Sequence, residues 1–200
     1  MNRALRALRA ILLLFAAILA VGLGGTSALA AEESVFFTGG GVSKEAPGDS
    51  PGTYVNATFT MHLPTQAAES LQRGVSLYFT TEFELSQKRW YWKDKGVVSA
   101  SYTRRLSYSL LTRKYHLGGG GGLSQSFATL DEALTVLGSV RRWRVAGSSA
   151  VSGHFQDYSA RIRVELDKSR LPRPLQFGTS DWDMTSDWVQ LPISPTAVSP

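Results

Sequence analysis

Alternation of apolar and polar residues at every second position constrains the fold of this chain more than any other feature of its sequence. Side chains along a β-strand point alternately to opposite faces of the sheet, so such a segment predicts a half-buried strand. Four segments show the pattern: 53–63 (TYVNATFTMHL), 75–85 (VSLYFTTEFEL), 98–110 and 158–166 (YSARIRVEL). Shorter segments with strand-like composition are RKYHL (113–117), LSQSF (123–127), RRWRVAG (141–147) and DWDMTSDWVQL (181–191).

Two short helices are predicted between these strands. The first lies between Pro64, which cannot extend a strand ladder, and Gly74, which is suited to a left-handed helix end. The second begins at Thr129, which has capping-box spacing to Glu132, and ends at Gly138. Short strands with two brief helices indicate a mainly β fold, either an antiparallel β-sandwich or a partly closed barrel.

The N-terminal segment 1–30 has the three parts of an export signal. Three arginines precede an apolar run at 11–23, and Ala28 and Ala30 then form an A-x-A cleavage pattern. The run has 13 residues, whereas a helix that spans a bilayer needs about 20 apolar residues. We therefore expect cleavage after Ala30 and a periplasmic protein with no integral membrane span. The alternative is a protein tethered to the membrane by its uncleaved signal.

The charge of the chain depends on this signal. The full sequence has 21 basic and 16 acidic residues, but the signal contributes Arg3, Arg6 and Arg9 and no acid. Without it, 18 basic residues nearly balance the acidic ones, so a nucleic-acid partner is not expected. The sequence contains no cysteine, so neither a disulfide nor thiol chemistry is available.

The remaining chain is predicted to form one domain with two irregular ends. Residues 31–52 are rich in glycine, proline and serine from Thr38 onward and predict a flexible N-terminal segment, although AEESVFF is consistent with a short strand. Residues 53–190 predict a single β-rich domain. Residues 191–200 predict a disordered, proline-rich tail.

The stretch QKRWYWKDKG (87–96) raises the question of an aromatic binding platform. Apolar residues of the preceding strand fall on odd positions, whereas Trp90 and Trp92 are even. A β-bulge within 86–89 would turn both indoles toward the core. Without that bulge, the two indoles would face solvent and could bind a ligand.

The turn after these tryptophans supports the buried arrangement. The sequence DKG, with Gly96 free to adopt positive φ, is suited to a tight hairpin turn. Such a turn would place Trp92 and Trp90 opposite Val98 and Ala100, where small side chains face large rings.

Two Arg-x-Arg patterns are candidates for a basic binding surface. Arg142 and Arg144 project from one predicted strand, and Arg161 and Arg163 project from another that could be its hairpin neighbour. Together they would form a basic stripe that meets an anionic surface, such as lipid headgroups or an acidic protein. The alternative is that nearby acids neutralise them. The candidate acids are Glu82, Glu84 and Glu165.

No motif in the sequence points to catalysis, a cofactor or a metal. His62, His116 and His154 are far apart and form no zinc-binding pair, and G-x-S-x-G is absent. The pentaglycine at 118–122 lacks the lysine of a phosphate-binding loop and leads into a predicted strand. The sequence DWDMTSD resembles a calcium loop only at its start, because Ser186 replaces the required glycine.

Five segments in order resemble a family of exported proteobacterial proteins, the domain-of-unknown-function family numbered 4390. They are RWYWKDKGV, LSYSLLTRKYHL, QSFATLDEALTVLGSVRRWRV, ELDKSRLPRPLQF and DWDMTSDW, within a likeness that covers about 56–190. The resemblance implies an envelope or signalling context, since such proteins are often encoded near a membrane sensor kinase. It implies no catalytic residue.

These observations predict a non-enzymatic binding or scaffolding domain of the bacterial envelope. Its partner would be an envelope protein or an anionic surface. The alternative is a hydrolase without a recognisable motif, which would require a pocket with convergent polar groups beside a histidine. The candidate binding residues are Arg142, Arg144, Arg161, Arg163, Trp90 and Trp92.

Overall fold

The alternating segments of the sequence form strands of two sheets in the computed structural model. The structure describes residues 34–45, 50–89, 91, 94–119, 122–151, 157–176 and 182–194. Its strands are β1 (Val35–Glu45), β2 (Gly52–Met61), β3 (Leu77–Gln87), β4 (Lys95–Ser109), β5 (Lys114–Gly119), β6 (Gly122–Phe127), β7 (Ser139–Gly147), β8 (Tyr158–Leu166), β9 (Val189–Leu191) and β10 (Ile193–Ser194). Its helices are α1 (Thr65–Gln72), α2 (Leu130–Leu137) and the single turn α3 (Arg173–Gln176), with a 3-10 turn at Lys168–Arg170.

The two sheets pack face to face. One has the strand order β10-β1-β2-β7 and the other has the order β6-β5-β4-β3-β8-β9. Between them, the Trp143 ring of β7 lies edge-on to Tyr102 and Phe83 of the other sheet, with ring centroids 4.7 and 6.2 Å apart. The predicted mainly β class is confirmed, and the fold is the sandwich form of that class.

The period-two pattern of the sequence corresponds to the two faces of each sheet. Along β3 the residues at odd positions from Leu77 to Leu85 are buried, and those at even positions are partly exposed. Strand β8 shows the same alternation, with Ile162 and Val164 buried and Arg161 exposed. Burial of the odd side chains of β3 and the even side chains of β8 forms the core, so the charged side chains face outward.

Strand β1 corrects the prediction of a flexible segment over 31–52, because residues 35–45 pair antiparallel with β2 along their length. The glycines that suggested a loop belong to this strand. Gly40 has φ +147, and a Cβ there would lie 2.3 Å from the Asn56 carbonyl oxygen. Glycine is therefore required by the close approach of β1 and β2, not by a turn.

The C-terminal residues correct the prediction of a disordered tail beginning at 191. Leu191 ends β9 in one sheet, and Ile193 begins β10 in the other, where it pairs parallel to Val42 of β1. Between them, the Pro192 carbonyl oxygen accepts a hydrogen bond of 2.9 Å from the Val42 amide. The chain thus crosses from one sheet to the other at a single residue. Residues 195–200 of the predicted tail and the predicted signal at 1–30 lie outside the described residues.

Helix α2 begins and ends where the sequence predicts. The Thr129 hydroxyl accepts from the Glu132 amide at 3.3 Å, and the Glu132 carboxylate accepts from the Thr129 amide at 3.4 Å. At the other end, Arg104 donates to the Val136 carbonyl oxygen at 2.8 Å. This contact explains why an arginine stands on the apolar face of β4, since a cation is favourable at a helix C-terminus.

Loss of the capping box is expected to weaken α2. Thr129→Ala removes the acceptor for the Glu132 amide, so we expect the free energy of unfolding to fall by about 1 kcal/mol. Urea denaturation of both proteins measures this difference. The matched control is Thr135→Ala in the same helix, because its hydroxyl donates only to the Asp131 carbonyl oxygen. A loss as large in the control as in Thr129→Ala would contradict the assignment to the cap.

The segment 182–186 packs beside the end of β8 without forming a full strand. The Leu166 amide donates to the Met184 carbonyl oxygen at 2.8 Å, and the Ser186 amide donates to the Val164 carbonyl oxygen at 2.9 Å. Trp182 and Met184 are 1% and 0% exposed, respectively. The predicted edge strand over 181–191 is therefore regular only at Val189–Leu191, and its first part contributes core side chains.

Candidate binding surfaces

The two Arg-x-Arg patterns lie on different sheets. Arg142 and Arg144 belong to β7 of the four-stranded sheet, whereas Arg161 and Arg163 belong to β8 of the six-stranded sheet. The predicted hairpin between these strands is wrong, because β7 pairs with β2 and β8 pairs with β3 and β9. The four arginines therefore do not form one stripe.

Arg161 and Arg163 pair with acids directly opposite them on β3. In the register of the two strands, Glu84 faces Arg161 and Glu82 faces Arg163. The Nε atom of Arg161 donates to Glu84 at 2.7 Å, and that of Arg163 donates to Glu82 at 2.7 Å. A third acid, Glu165, lies 3.4 Å from Arg163. Neighbouring acids therefore neutralise both arginines, which is the alternative that the sequence left open for them.

Trp188 completes this surface. The guanidinium carbons of Arg161 and Arg163 lie 4.4 and 4.8 Å from the centroid of its ring. An arginine that stacks on an indole retains its outward donors while its flat face is covered. We call the outer surface formed by Glu82, Glu84, Arg161, Arg163 and Trp188 the arginine–tryptophan face.

The charges of this face hold its side chains in place more than they stabilise the fold. The hydrogen bond from Glu82 raises the pKa of the Arg163 guanidinium above its ordinary value, with partial burial acting in the opposite direction. A base with a raised pKa is charged at every pH below that value, so Arg163 remains a cation throughout the physiological range. Exposed ion pairs of this kind contribute about 0–1 kcal/mol each to stability.

Arg142 occupies a separate surface on the four-stranded sheet. It is the additional residue of a β-bulge opposite Asn56, with φ 44, and its amide donates to the Asn56 side-chain oxygen at 2.8 Å. Its guanidinium contacts Glu45 at 2.6 Å and lies 5.6 Å from the Tyr54 ring centroid. Arg144 donates to a backbone carbonyl oxygen, that of Pro51, at 3.1 Å.

The hairpin between β3 and β4 differs from the prediction. Val98 and Ala100 face Leu85 and Phe83, so they do not face the two tryptophans. A register shift is present, but its additional residue is Val97 on β4, since Ser86 pairs with Gly96. The ladder ends at the pair Gln87 and Lys95. Trp90 and Trp92 lie outside the described residues.

The described residues hold no assembled metal site. His62 packs against Phe36, with ring centroids 6.3 Å apart, and His116 Nδ1 lies 3.1 Å from the Ser126 hydroxyl on an exposed face. His154 lies outside the described residues. Within the described ranges, no group of three or more histidine, aspartate or glutamate side chains could hold a metal ion. Asp183, from the calcium-like sequence, contacts Lys168 at 3.1 Å.

A depression of ≈ 330 Å³ lies near the crossing between the sheets. Lys88, Tyr158, Ser159, Gln190 and Leu191 are among its lining residues, and neither His62 nor His116 is. This depression therefore lacks the feature expected of a hydrolase pocket, which is a histidine surrounded by polar groups.

These features define the class of the protein: a two-sheet β-sandwich with charged and aromatic side chains on its outer faces. The family model described as Domain of unknown function (DUF4390) matches residues 48–192, more than half of the 200-residue chain. The chain belongs to this family. No curated protein matches the chain, and no solved structure does. In the part of the chain that is described, no helix has the length and apolar character needed to cross a membrane.

Sequence reasoning missed Trp188. The residue lay within a segment interpreted as a strand, and its pairing with two arginines depends on the register between β8 and β9, where Arg161 faces Gln190. One signal could have identified it. Trp188 stands alone between Asp187 and Val189, and no alternating apolar pattern around it predicts that its ring is buried.

Proposed function

We propose that this protein is a non-enzymatic binding domain, exported to the periplasm, that recognises an envelope protein through the arginine–tryptophan face. The observation that carries the proposal is Trp188 held beneath Arg161 and Arg163, each of which is fixed by a glutamate. Tryptophan and arginine are the residues most enriched among those that dominate binding energy at protein interfaces.

Order in the free protein favours binding by this face. Long side chains lose conformational entropy when a partner immobilises them, and this loss opposes association. Arg161 and Arg163 have already lost much of that freedom, because each is stacked on Trp188 and paired across the β3–β8 ladder. The entropy loss on binding is therefore smaller than for unrestrained arginines.

The mixed charge of the face favours a protein over a uniformly anionic surface. Two arginines stand beside three acids, Glu82, Glu84 and Glu165. An anionic bilayer would attract the arginines and repel the acids, whereas a protein can present complementary charges of both signs. The envelope or signalling context that the family resemblance implies makes the periplasmic part of a membrane sensor kinase one candidate partner to test.

Replacing Trp188 is expected to abolish partner binding with little effect on the fold. In capture experiments with envelope extracts, we expect Trp188→Ala to reduce the retained partner at least about tenfold, since it removes the centre of the face. Its free energy of unfolding should fall by about 1 kcal/mol or less, because the ring is partly exposed. The matched control is Arg144→Ala on the other sheet, which should retain the partner. Loss in the control but not in Trp188→Ala would assign binding to the other sheet.

A charge exchange separates recognition from stability on the same face. The double variant Glu84→Arg with Arg161→Glu keeps an ion pair across the ladder but inverts its direction. We expect a loss of stability of about 1 kcal/mol or less, because the contact of Arg161 with Trp188 is lost, and weaker partner capture. Equal capture by this variant and the original protein would contradict recognition by the charge pattern.

The proposed location rests on the sequence of the first 30 residues. Cell fractionation followed by N-terminal sequencing tests it, and we expect a mature chain that begins at Ala31 in the periplasmic fraction. A chain that retains Arg3, Arg6 and Arg9 in the membrane fraction would support the tethered alternative, and the same chain in the cytoplasm would overturn export.

A further inference from the structure

The turn between β4 and β5 carries two adjacent exposed leucines. Leu110 and Leu111 are 68% and 94% exposed. Arg113 and Lys114 follow them in the turn and at the start of β5. We call Leu110, Leu111, Arg113 and Lys114 the leucine tip.

The leucine tip is ordered by hydrogen bonds to one residue. The Arg113 amide donates to the Ser109 carbonyl oxygen at 2.7 Å, and the Thr112 amide donates to the Ser109 hydroxyl at 3.3 Å. Ser109 also pairs with Lys114 across the hairpin. The two leucines are therefore held outward by a closed turn, so their exposure is a defined feature of the fold.

Arg113 is strained in this turn. It has φ 53, in the left-handed region where glycine is favoured over residues with a Cβ. A chain with 19 glycines nevertheless has an arginine at this position.

The hairpin projects beyond the strand next to it. Leu106 is the last residue of β4 that pairs with β3, and β4 continues through Ser109. On the other side, the pairing of β5 with β6 reaches Tyr115 and Phe127. The part that extends past both neighbouring strands is therefore the turn with the pair Ser109 and Lys114. Apolar side chains enter the headgroup region of a bilayer to a depth of about 5–10 Å.

The cations of the leucine tip are available for an anionic partner. Arg113 and Lys114 are exposed, and none of the carboxylates that the structure describes pairs with either. Arg105, on the outer face of the same strand, is likewise exposed without such a pair. In contrast with the arginine–tryptophan face, the cations of this turn form no salt bridge with a described carboxylate.

We propose that the leucine tip inserts into the headgroup region of an anionic phospholipid bilayer. Leu110 and Leu111 would enter the boundary of the acyl chains, while Arg113 and Lys114 contact lipid phosphates. A protein partner is disfavoured because a stable interface needs about 800 Å² from each side, far more than two side chains of a narrow turn provide. This surface is distinct from the one proposed to bind a protein.

A fluorescent label at the tip tests insertion directly. Because the chain has no cysteine, Thr112→Cys gives a single site for an environment-sensitive fluorophore in the full chain. We expect a blue shift and increased emission with vesicles of phosphatidylglycerol and phosphatidylcholine, and a much smaller change with phosphatidylcholine alone. The matched control is Leu123→Cys, because Leu123 is 92% exposed but lies at the opposite end of the β5–β6 hairpin. No shift at position 112, or equal shifts at both positions, would overturn the proposal.

Substitutions then separate the apolar and the electrostatic components of vesicle binding. Leu110→Ser with Leu111→Ser should lower the partition coefficient onto anionic vesicles by about tenfold or more, whereas Leu123→Ser should leave it unchanged. Arg113→Gly should also weaken vesicle binding but raise thermal stability, because glycine relieves the left-handed strain. Vesicle binding that is unaffected by the leucine substitutions would overturn insertion. Trp188→Ala should bind vesicles normally. Failure of membrane insertion can therefore be distinguished from failure of partner binding by the arginine–tryptophan face.

Discussion

Trp182→Ala is expected to lower the free energy of unfolding by about 3–5 kcal/mol, the range found when a buried tryptophan is truncated. Trp182 is 1% exposed and enters the core from a segment that has few backbone hydrogen bonds of its own. Its removal leaves a cavity and weakens the attachment of 182–186 to β8. Urea denaturation followed by circular dichroism measures the change.

Trp188→Ala is the matched control, since it makes the same change six positions along the chain at a partly exposed site. We expect a loss of about 1 kcal/mol or less there. Similar losses in the two variants would mean that Trp182 does not belong to the core. The pair also distinguishes a tryptophan that stabilises the fold from one that binds a partner.

Gly138→Ala is expected to destabilise the protein by about 3 kcal/mol or more, although alanine favours helices in general. A Cβ at this position would lie 2.1 Å from the Phe59 carbonyl oxygen, and the Phe59 amide donates to the Gly138 carbonyl oxygen at 2.9 Å. Helix α2 would have to move away from β2, which breaks that hydrogen bond and opens the core. Thermal denaturation of the purified variant measures the effect.

Gly96→Ala is the control for this prediction. A Cβ at Gly96 meets no atom within 4 Å, so we expect a change of about 0.5 kcal/mol or less. Wild-type stability in Gly138→Ala would show that α2 and β2 can separate freely. A large loss in Gly96→Ala would instead point to a conformational requirement at the β3–β4 bulge.

Local patterns were sufficient to predict much of the fold. The strands β2, β3, β4 and β8 carry clean alternation, and helix α2 carries a capping box that involves residues three apart. Each of these signals lies within one segment. Gly74, predicted to end α1 in a left-handed conformation, does so with φ 94.

The elements that were not predicted depend on distant partners. Strand β1 is rich in glycine, and only the neighbouring backbone of β2 explains why glycine is tolerated there. Strand β10 has two residues and exists because β1 lies beside it. No local pattern contains that information, because the pairing of Val42 with Ile193 joins opposite ends of the chain.

The arginines and acids of the candidate site were predicted, but Trp188 and the arrangement of the site were not. The sequence indicated that Arg161 and Arg163 point outward and named the acids that neutralise them. Register alone decides that Glu84 faces Arg161, and a one-residue slip would separate the pair. Membership of β7 and β8 in different sheets is a matter of topology, which spacing along the chain does not determine.

The parallel pairing of β10 with β1 has a consequence for biogenesis. During synthesis, residues 193 and 194 emerge from the ribosome about 150 residues after the partners that they will contact. Until then Val42 and Ser43 of β1 have unpaired backbone groups on this side, to which a strand of another polypeptide can add. Polypeptides truncated before Pro192 lack this pairing, so we expect them to aggregate more readily than the full chain.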